Sequence, residues 1–408
     1  MQRLIILLLI LMSGICGCAS GGVIIPFEPE DIIMTYRWPV LIGTPPGGPP
    51  VSDSVDIIFW NTATSAFVRT NVITDALPFQ WTPQRNGIGW RSSGKWGVGI
   101  IETTSFDLEY WENTETGWTA AGAWGLTDDD ASQNWEAVDV ATRQNWVWAE
   151  VFEAGGPSIR DWYIDLSAGV PAWTYAGHTR VVDDAHYSVV LDQNLLGARH
   201  IAYIAVGNIT YGSFSDTAST GVTVQAVGDY PQIIVDGEQR LWLFITYDND
   251  LYVMTSFDQP FDTSWNGGVI YSATTLTQDY MVAHNPVDDT IHVVLCDVNM
   301  EGTSTLKYLR RTRNGWSAAI TLKTLTSVDP TYHVPTWPQI TIDSFCNICI
   351  YYIDDDMVGV GDLCQFLLPY NLYSGFATPA NWTETTNVDD SADDILWCVA
   401  PPNMPEDV

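Results

Sequence analysis

An all-β fold, a β-propeller of about seven four-stranded blades with six as the alternative, is predicted by three features of this 408-residue chain. A tryptophan returns in one setting. Trp81, Trp118, Trp173, Trp265, Trp316 and Trp382 each follow a turn-like stretch and open a short apolar or Thr-rich run. The interval is roughly fifty residues, or once nearly twice that, and a period in this range is the mark of propellers and solenoids. The double interval places a seventh, degenerate copy near residues 219–223. Second, parts of the chain align with one another without gaps. Asp229-Tyr-Pro-Gln-Ile-Ile-Val-Asp236 lies on Trp337-Pro-Gln-Ile-Thr-Ile-Asp343, and Leu241–Ile245 lies on Ile291–Leu295 and on Ile348–Tyr352. Third, no long segment carries a helical period. Short runs of Val, Ile, Tyr, Trp and Thr alternate with Gly, Asn and Asp, which is the pattern of strands and turns.

Each copy reads as four strands. The first follows an aromatic or histidine: Trp135, His186, Tyr230, Tyr280 or Trp337. The second is continuously apolar, as expected of a strand covered on both faces. The third runs over Leu108–Trp111, Ile159–Ile164, Ile209–Phe214, Leu251–Thr255, Leu306–Arg310 or Leu363–Leu367, and the fourth opens with the recurring tryptophan. Four antiparallel strands repeated in this way make a propeller blade. The last apolar run, Ile395–Val399, then completes the first blade beside Val55–Trp60, Ala66–Asn71 and Trp81, with Ile32–Ile42 competing for the same slot.

The N-terminus has an export pattern. Arg3 precedes the apolar run Leu4–Met12, which is too short for a stable membrane span. Ile15-Cys16-Gly17-Cys18 follows and resembles the bacterial lipoprotein lipobox, with Ile15 and Gly17 fitting and Cys16 untypical. The resemblance implies a signal peptide over 1–17, lipidation of Cys18, a tether over 18–30 and one propeller domain over 31–408. Ala19 resembles the outer-membrane sorting pattern, so the expected partners include a membrane, reached through the lipid, at the outer membrane or cell surface. An ordinary cleaved secretory signal is the alternative.

With 49 acidic against 16 basic residues the net charge is −33. Such a field repels phosphate, so nucleic acid and anionic membrane surfaces are not expected as partners. Of the seven cysteines, Cys296, Cys346, Cys349, Cys364 and Cys398 lie in the body, an odd number that leaves one thiol unpaired. Cys346 and Cys349 have a metal-like spacing but fall in a strand-like run, where residues three apart face opposite ways. A bridge from either to Cys364 is open in an exported protein. Asp354, Asp356 and Asp362 resemble a calcium-binding turn of propeller repeats. Val358 stands where an oxygen donor is wanted, so an acidic hairpin without metal is favoured and no cofactor is expected.

The turns before the tryptophans carry a further resemblance. Asn113-Thr-Glu-Thr-Gly117-Trp118 and Arg313-Asn-Gly315-Trp316 look like shortened Asp-boxes of sialidase-type propellers, with the turn Gly and Trp kept and the Ser and Asp lost. The resemblance implies the fold, and fold does not imply function. The arginine trio, Tyr–Glu pair and acid/base Asp of a sialidase do not map onto this chain. There is no G-x-S-x-G, no H-E-x-x-H and no phosphate loop. No catalytic residue is therefore assigned. The sequence points to a binding or interaction module for carbohydrate or protein, with a glycoside-active enzyme and an envelope scaffold without a small-ligand pocket as alternatives. If a ligand site exists at the channel mouth, Trp135, His186, Tyr230, Tyr280 and Trp337 supply stacking faces, and Gln232 and Gln339 supply amides for sugar hydroxyls. The competing use of those rings is to wedge between blades.

Overall fold

The alternation of strand and turn legible in the sequence becomes seven antiparallel sheets in the computed structural model. The described residues lie between 36 and 400; residues 1–35 and 401–408 and many connections, among them 75–87, 121–134, 184–186, 192–198, 257–264, 327–334, 356–360 and 389–396, lie outside them. Cys18 and the export pattern, Trp81, His186 and Asp356 are thus outside the described residues.

In the first sheet Trp397–Val399 pairs with Tyr36–Thr44, followed by Ser54–Asn61 and Ala66–Thr74. The expected partnership of the chain's two ends is present. Its detail differs: Tyr36–Thr44 does not compete with the C-terminal strand but lies beside it. The second sheet is Ile88–Arg91, Lys95–Ile101, Leu108–Thr114 and Gly117–Ala120; the third is Trp135–Arg143, Trp146–Glu153, Ser158–Asp165 and Thr174–Val181. The fourth holds Tyr187–Leu191, Arg199–Ala205, Asn208–Ser215 and Ala218–Gln225, the copy that lacks the tryptophan. The fifth holds Asp229–Val235, Leu241–Tyr247, Asp250–Ser256 and Asn266–Ser272. The sixth has Leu276–Asn285, Thr290–Asn299 and Thr303–Thr312, whose outer edge carries both Gly315–Trp316 and Ile320–Thr326. The seventh ends the series with Pro335–Ile342, Ile348–Asp355, Gly361–Leu368 and Thr383–Thr385. From the third sheet onward, the first strand of each touches the first strand of the next, and Pro335–Ile342 touches Trp397–Val399.

The second strands are apolar throughout because they face two neighbours. Side chains alternate across a strand with period two. Leu241, Leu243 and Ile245 accordingly pack with Ala202, Ile204, Ile209 and Tyr211 of the fourth sheet. Trp242 and Phe244, pointing the other way, pack with Val282, Ile291, Val293 and Leu295 of the sixth. The same division holds one copy on, where Val294 and Cys296 join Ile340, Ile348 and Ile350 of the seventh sheet. The aligned copies also share turn chemistry. Asp236 Oδ1 accepts the backbone N–H of Glu238 and of Arg240, both at 2.9 Å, and Asp343 Oδ1 accepts those of Phe345 and Asn347 at 2.9 and 2.8 Å. Gln239 and Cys346, the third residue after each Asp, sit at φ 62° and 61°.

That turn settles the cysteines. Cys296, Cys346, Cys349, Cys364 and Cys398 are buried and form no disulfide, so the bridge left open from the sequence is absent. In the strand register Cys349 stands opposite Leu367 and Cys364 opposite Tyr352. Cys349 faces the first sheet and Cys364 the sixth, so the sheet itself separates the two sulfurs.

His292 occupies the place of Trp242 in the repeat, as a packing variant. Its Nδ1 lies 2.7 Å from the Tyr308 hydroxyl and its Nε2 2.7 Å from Thr290 Oγ1. His200 and Tyr211 repeat the pair in the fourth sheet at 2.8 Å. Complete burial, aided by the Arg310 and His284 charges, pushes the His292 imidazole down to about 3. The folded protein holds this ring neutral, whereas the unfolded chain protonates it below its ordinary value of about 6.5. Its contribution to stability is complete above that value and declines as pH falls toward 3, by up to about 1.4 kcal/mol per pH unit. Urea midpoints measured from pH 7 to 4 should fall less steeply for His292→Gln than for the native protein, by close to one proton's slope. Equal slopes would contradict this assignment.

Candidate functional site

The residues singled out at the entries of the first strands have divergent fates. Gln232 is 4% exposed, and its amide spans the joint between the fifth and sixth sheets. Its Nε2 donates to the Tyr280 carbonyl at 2.5 Å, and its Oε1 accepts the Val282 N–H at 3.1 Å. One side chain thus supplies the two hydrogen bonds that a neighbouring strand would have made. Gln339 does the same work between the seventh sheet and the first, accepting the Ala400 N–H at 3.2 Å. Ser188 Oγ, accepting the Ile233 N–H at 3.3 Å, joins the fourth sheet to the fifth. Tyr280 is buried, and its hydroxyl donates to the Tyr230 carbonyl. These three candidates, Gln232, Gln339 and Tyr280, hold sheet to sheet. Trp135 and Trp337 lie in first strands, with side chains outside the described residues. Tyr230 alone among the described candidates is left half-buried at the surface.

Tyr230 lines a cleft of about 400 Å³ between the fourth and fifth sheets. The sequence builds it from three turns. Asp248 and Asn249, at φ 50° and 67°, form a two-residue hairpin of the kind that demands two left-handed residues, which Asp and Asn tolerate. That hairpin leaves the Tyr247 ring 43% exposed at the rim. Val206 and Gly207, at φ 52° and 67°, make the facing hairpin of the fourth sheet. Between them, Gly228 at φ 147° brings the backbone so close that a Cβ would lie 2.9 Å from Ile245 Cδ1. Tyr230 itself has φ 50° directly before Pro231, a conformation costing an aromatic residue about 1–3 kcal/mol. Asp229 Oδ1 accepts the Tyr230 N–H at 2.8 Å and the Tyr280 hydroxyl holds its carbonyl, so the strain is fixed from both sides.

The lining is therefore two aromatic rings, Tyr230 and Tyr247, beside the carboxylates Asp229 and Asp248, the amide Asn249 and the hydroxyl Thr246. No arginine, lysine or histidine lines it among the described residues. Three of the described arginines are used elsewhere. Arg69 pairs with Asp56, Arg199 with Asp161, and Arg240 with Asp236, Glu238 and Asp289. Asp354 and Asp362 of the suggested calcium turn stand opposite one another on neighbouring strands. No set of three His, Cys, Asp or Glu converges as metal ligands among the described residues. Tyr247, Asp248 and Asn249 were not singled out from the sequence. The signal was an aromatic placed directly before a two-residue Asp-Asn turn, where the Tyr247 ring meets Tyr252 on one side and stays 43% exposed.

Neither a family model nor a curated protein matches this sequence. Solved structures with a similar course of chain include AofleA from Arthrobotrys oligospora, at 12% identity over 79% of this chain and 91% of that one, with a TM-score of 0.47. SapL1 lectin in complex with alpha methyl fucoside is 11% identical over 77% and 99% of the two chains, at 0.45. The polysaccharide lyase Uly1 is 11% identical over 86% and 91%, at 0.43.

Proposed function

We propose that this chain is an exported, seven-bladed β-propeller that binds carbohydrate in the cleft between its fourth and fifth blades. The observation that carries the reading is the cleft itself, where exposed and half-buried tyrosine rings stand beside carboxylates and an amide. A pyranose presents C–H groups on its faces and hydroxyls around its rim. Aromatic rings suit the first, and carboxylate and carboxamide oxygens accept from the second. The volume lies in the range of small-ligand sites. The blade reading is supported by the succession of contacts between first strands and by the pairing of the two chain ends. Tyr247→Ala should weaken glycan binding by at least about tenfold, roughly 1.4 kcal/mol, with the thermal midpoint nearly unchanged because the ring is exposed. A glycan array followed by titration calorimetry on the best ligand checks this. Unaltered affinity in the variant would move the site elsewhere, and turnover in a fluorogenic glycoside panel would favour a glycoside-active enzyme.

The lipobox-like Ile15-Cys16-Gly17-Cys18 supports a lipid anchor on Cys18 and a place at the outer membrane or cell surface. Metabolic labelling with a tagged fatty acid tests it, with label expected on the native chain and lost in Cys18→Ser.

A further inference from the structure

We infer that Arg311, with Arg313 beside it on the outer hairpin of the sixth sheet, holds the carboxylate of an acidic sugar at the joint between the fifth and sixth sheets. That the carboxylate belongs to a sugar rests on the carbohydrate reading above; the anion site itself does not. It is remote from the cleft. Trp242 stands near the start of Leu241–Tyr247, and the cleft lies at that strand's other end. The Arg311 guanidinium is 4.2 Å from the Trp242 ring centre. Across the hairpin Arg311 stands opposite Trp316, and Arg313 is exposed at the tip.

In a chain of 49 acidic and 16 basic residues, a cation without a carboxylate is unexpected. Arg69, Arg199, Arg240, Lys307 and Lys323 each pair with one. Arg311 pairs with none among the described residues and lies over an indole instead. The carboxylates around it are engaged. Asp236 Oδ2 accepts from Arg240 Nε at 2.6 Å and from Trp242 Nε1 at 2.7 Å, while its Oδ1 accepts two backbone N–H groups. Glu238 lies 2.7 Å from Arg240 Nη1, and Asp289 Oδ1 lies 3.0 Å from both His284 Nε2 and the Gly237 nitrogen. Burial, and after it the Arg240 charge, hold Arg311 below the ordinary arginine range, so an added anion would relieve it.

A guanidinium stacked on a ring spends its face and keeps its edge, a planar fork of N–H donors that matches the two oxygens of a carboxylate. The net charge of −33 repels a ligand in proportion to the ligand's own charge, which favours one carboxylate over phosphate or clustered sulfates. Trp316, half-buried on the facing strand, supplies apolar surface beside the fork for a pyranose.

Oligosaccharides carrying one uronate are compared on an array with the same sugars after reduction of the carboxyl to a hydroxymethyl group. The whole protein is applied at about 50 mM salt, where screening is weak. The acid should bind about tenfold above its reduced counterpart, as a charge-assisted bidentate contact predicts. Arg311→Gln should bring that ratio close to one. Arg311→Lys, which keeps the charge without the fork, should lose at least about half of it. Arg313→Gln, a change at the exposed tip, should lower the ratio about twofold and stays informative even where Arg311→Gln does not fold. A ratio near one in the native protein, with the reduced sugars bound, would overturn the anion site and leave the carbohydrate reading standing. A ratio unmoved by the Arg311 and Arg313 variants would overturn it as well. A glutamate peptide bound more tightly than any uronate would overturn the sugar as its ligand, and binding of neither acid nor reduced sugar would overturn both readings.

Discussion

Asp161→Ala is expected to destabilise the protein by about 3–5 kcal/mol, because it strands a guanidinium in the joint between the third and fourth sheets. Asp161 is 1% exposed and the Arg199 side chain 7%. The pair is bidentate: Arg199 Nη1 donates to Asp161 Oδ1 at 2.8 Å, and Nη2 donates to Oδ2. The guanidinium also lies 5.6 Å from the Trp148 ring centre. Two charges taken out of water together can roughly balance desolvation with attraction, but one left alone cannot. The net worth of the pair is thus small although the loss on breaking it is large. Asp161→Leu with Arg199→Met, which replaces both charges by apolar groups of similar size, should therefore recover most of the loss. Urea unfolding of Asp161→Leu, of Arg199→Met and of the double closes the cycle. A double variant as unstable as Asp161→Ala would mean that the pair carries geometry an apolar contact cannot replace.

Trp382→Ala should cost a similar amount, about 3–5 kcal/mol, for an apolar reason. Trp382 is 7% exposed and sits edge-on to Tyr308 of the sixth sheet, with ring centres 4.9 Å apart. Its indole N–H donates to the Phe376 carbonyl at 2.8 Å. Removing the ring opens a cavity against the preceding sheet and leaves that carbonyl unpaired. Two more of the recurring tryptophans meet the preceding sheet in the same way: Trp265 lies 5.4 Å from Tyr211, and Trp316 6.0 Å from Phe244. Both are only half-buried, so Trp316→Ala should be milder than Trp382→Ala. Thermal or urea midpoints of the two variants test the order, and a Trp316→Ala loss equal to that of Trp382→Ala would contradict it.

The recurrent tryptophan, the apolar second strands and the Asp-x-x-x turn copies were legible because each is a local or periodic requirement. A strand covered on both faces has to be apolar at every position, and Leu241–Ile245 and Ile348–Tyr352 say so in their side chains. The roles of Gln232 and Gln339 were not legible. In the alignment they look like a repeated polar group beside a repeated aromatic, which suits a ligand as well as a neighbour. Their bonds to Tyr280, Val282 and Ala400 reach 48, 50 and 61 residues along the chain, and no local pattern records a partner so distant. The lack of a disulfide between Cys349 and Cys364 has the same origin, since facing is decided by strand register.

By itself, then, the sequence determined an all-β chain of repeated four-stranded units, an acidic surface and few cations, because hydrophobic period and composition act at every residue. Tertiary structure decided which of the repeated polar and aromatic groups remain for a ligand. Pairing sheets consumes amides, hydroxyls and guanidinium groups that water would otherwise hold. Beside two turns and the strained Tyr230, next to Gly228, Tyr247 and Asp248, a cleft is left over.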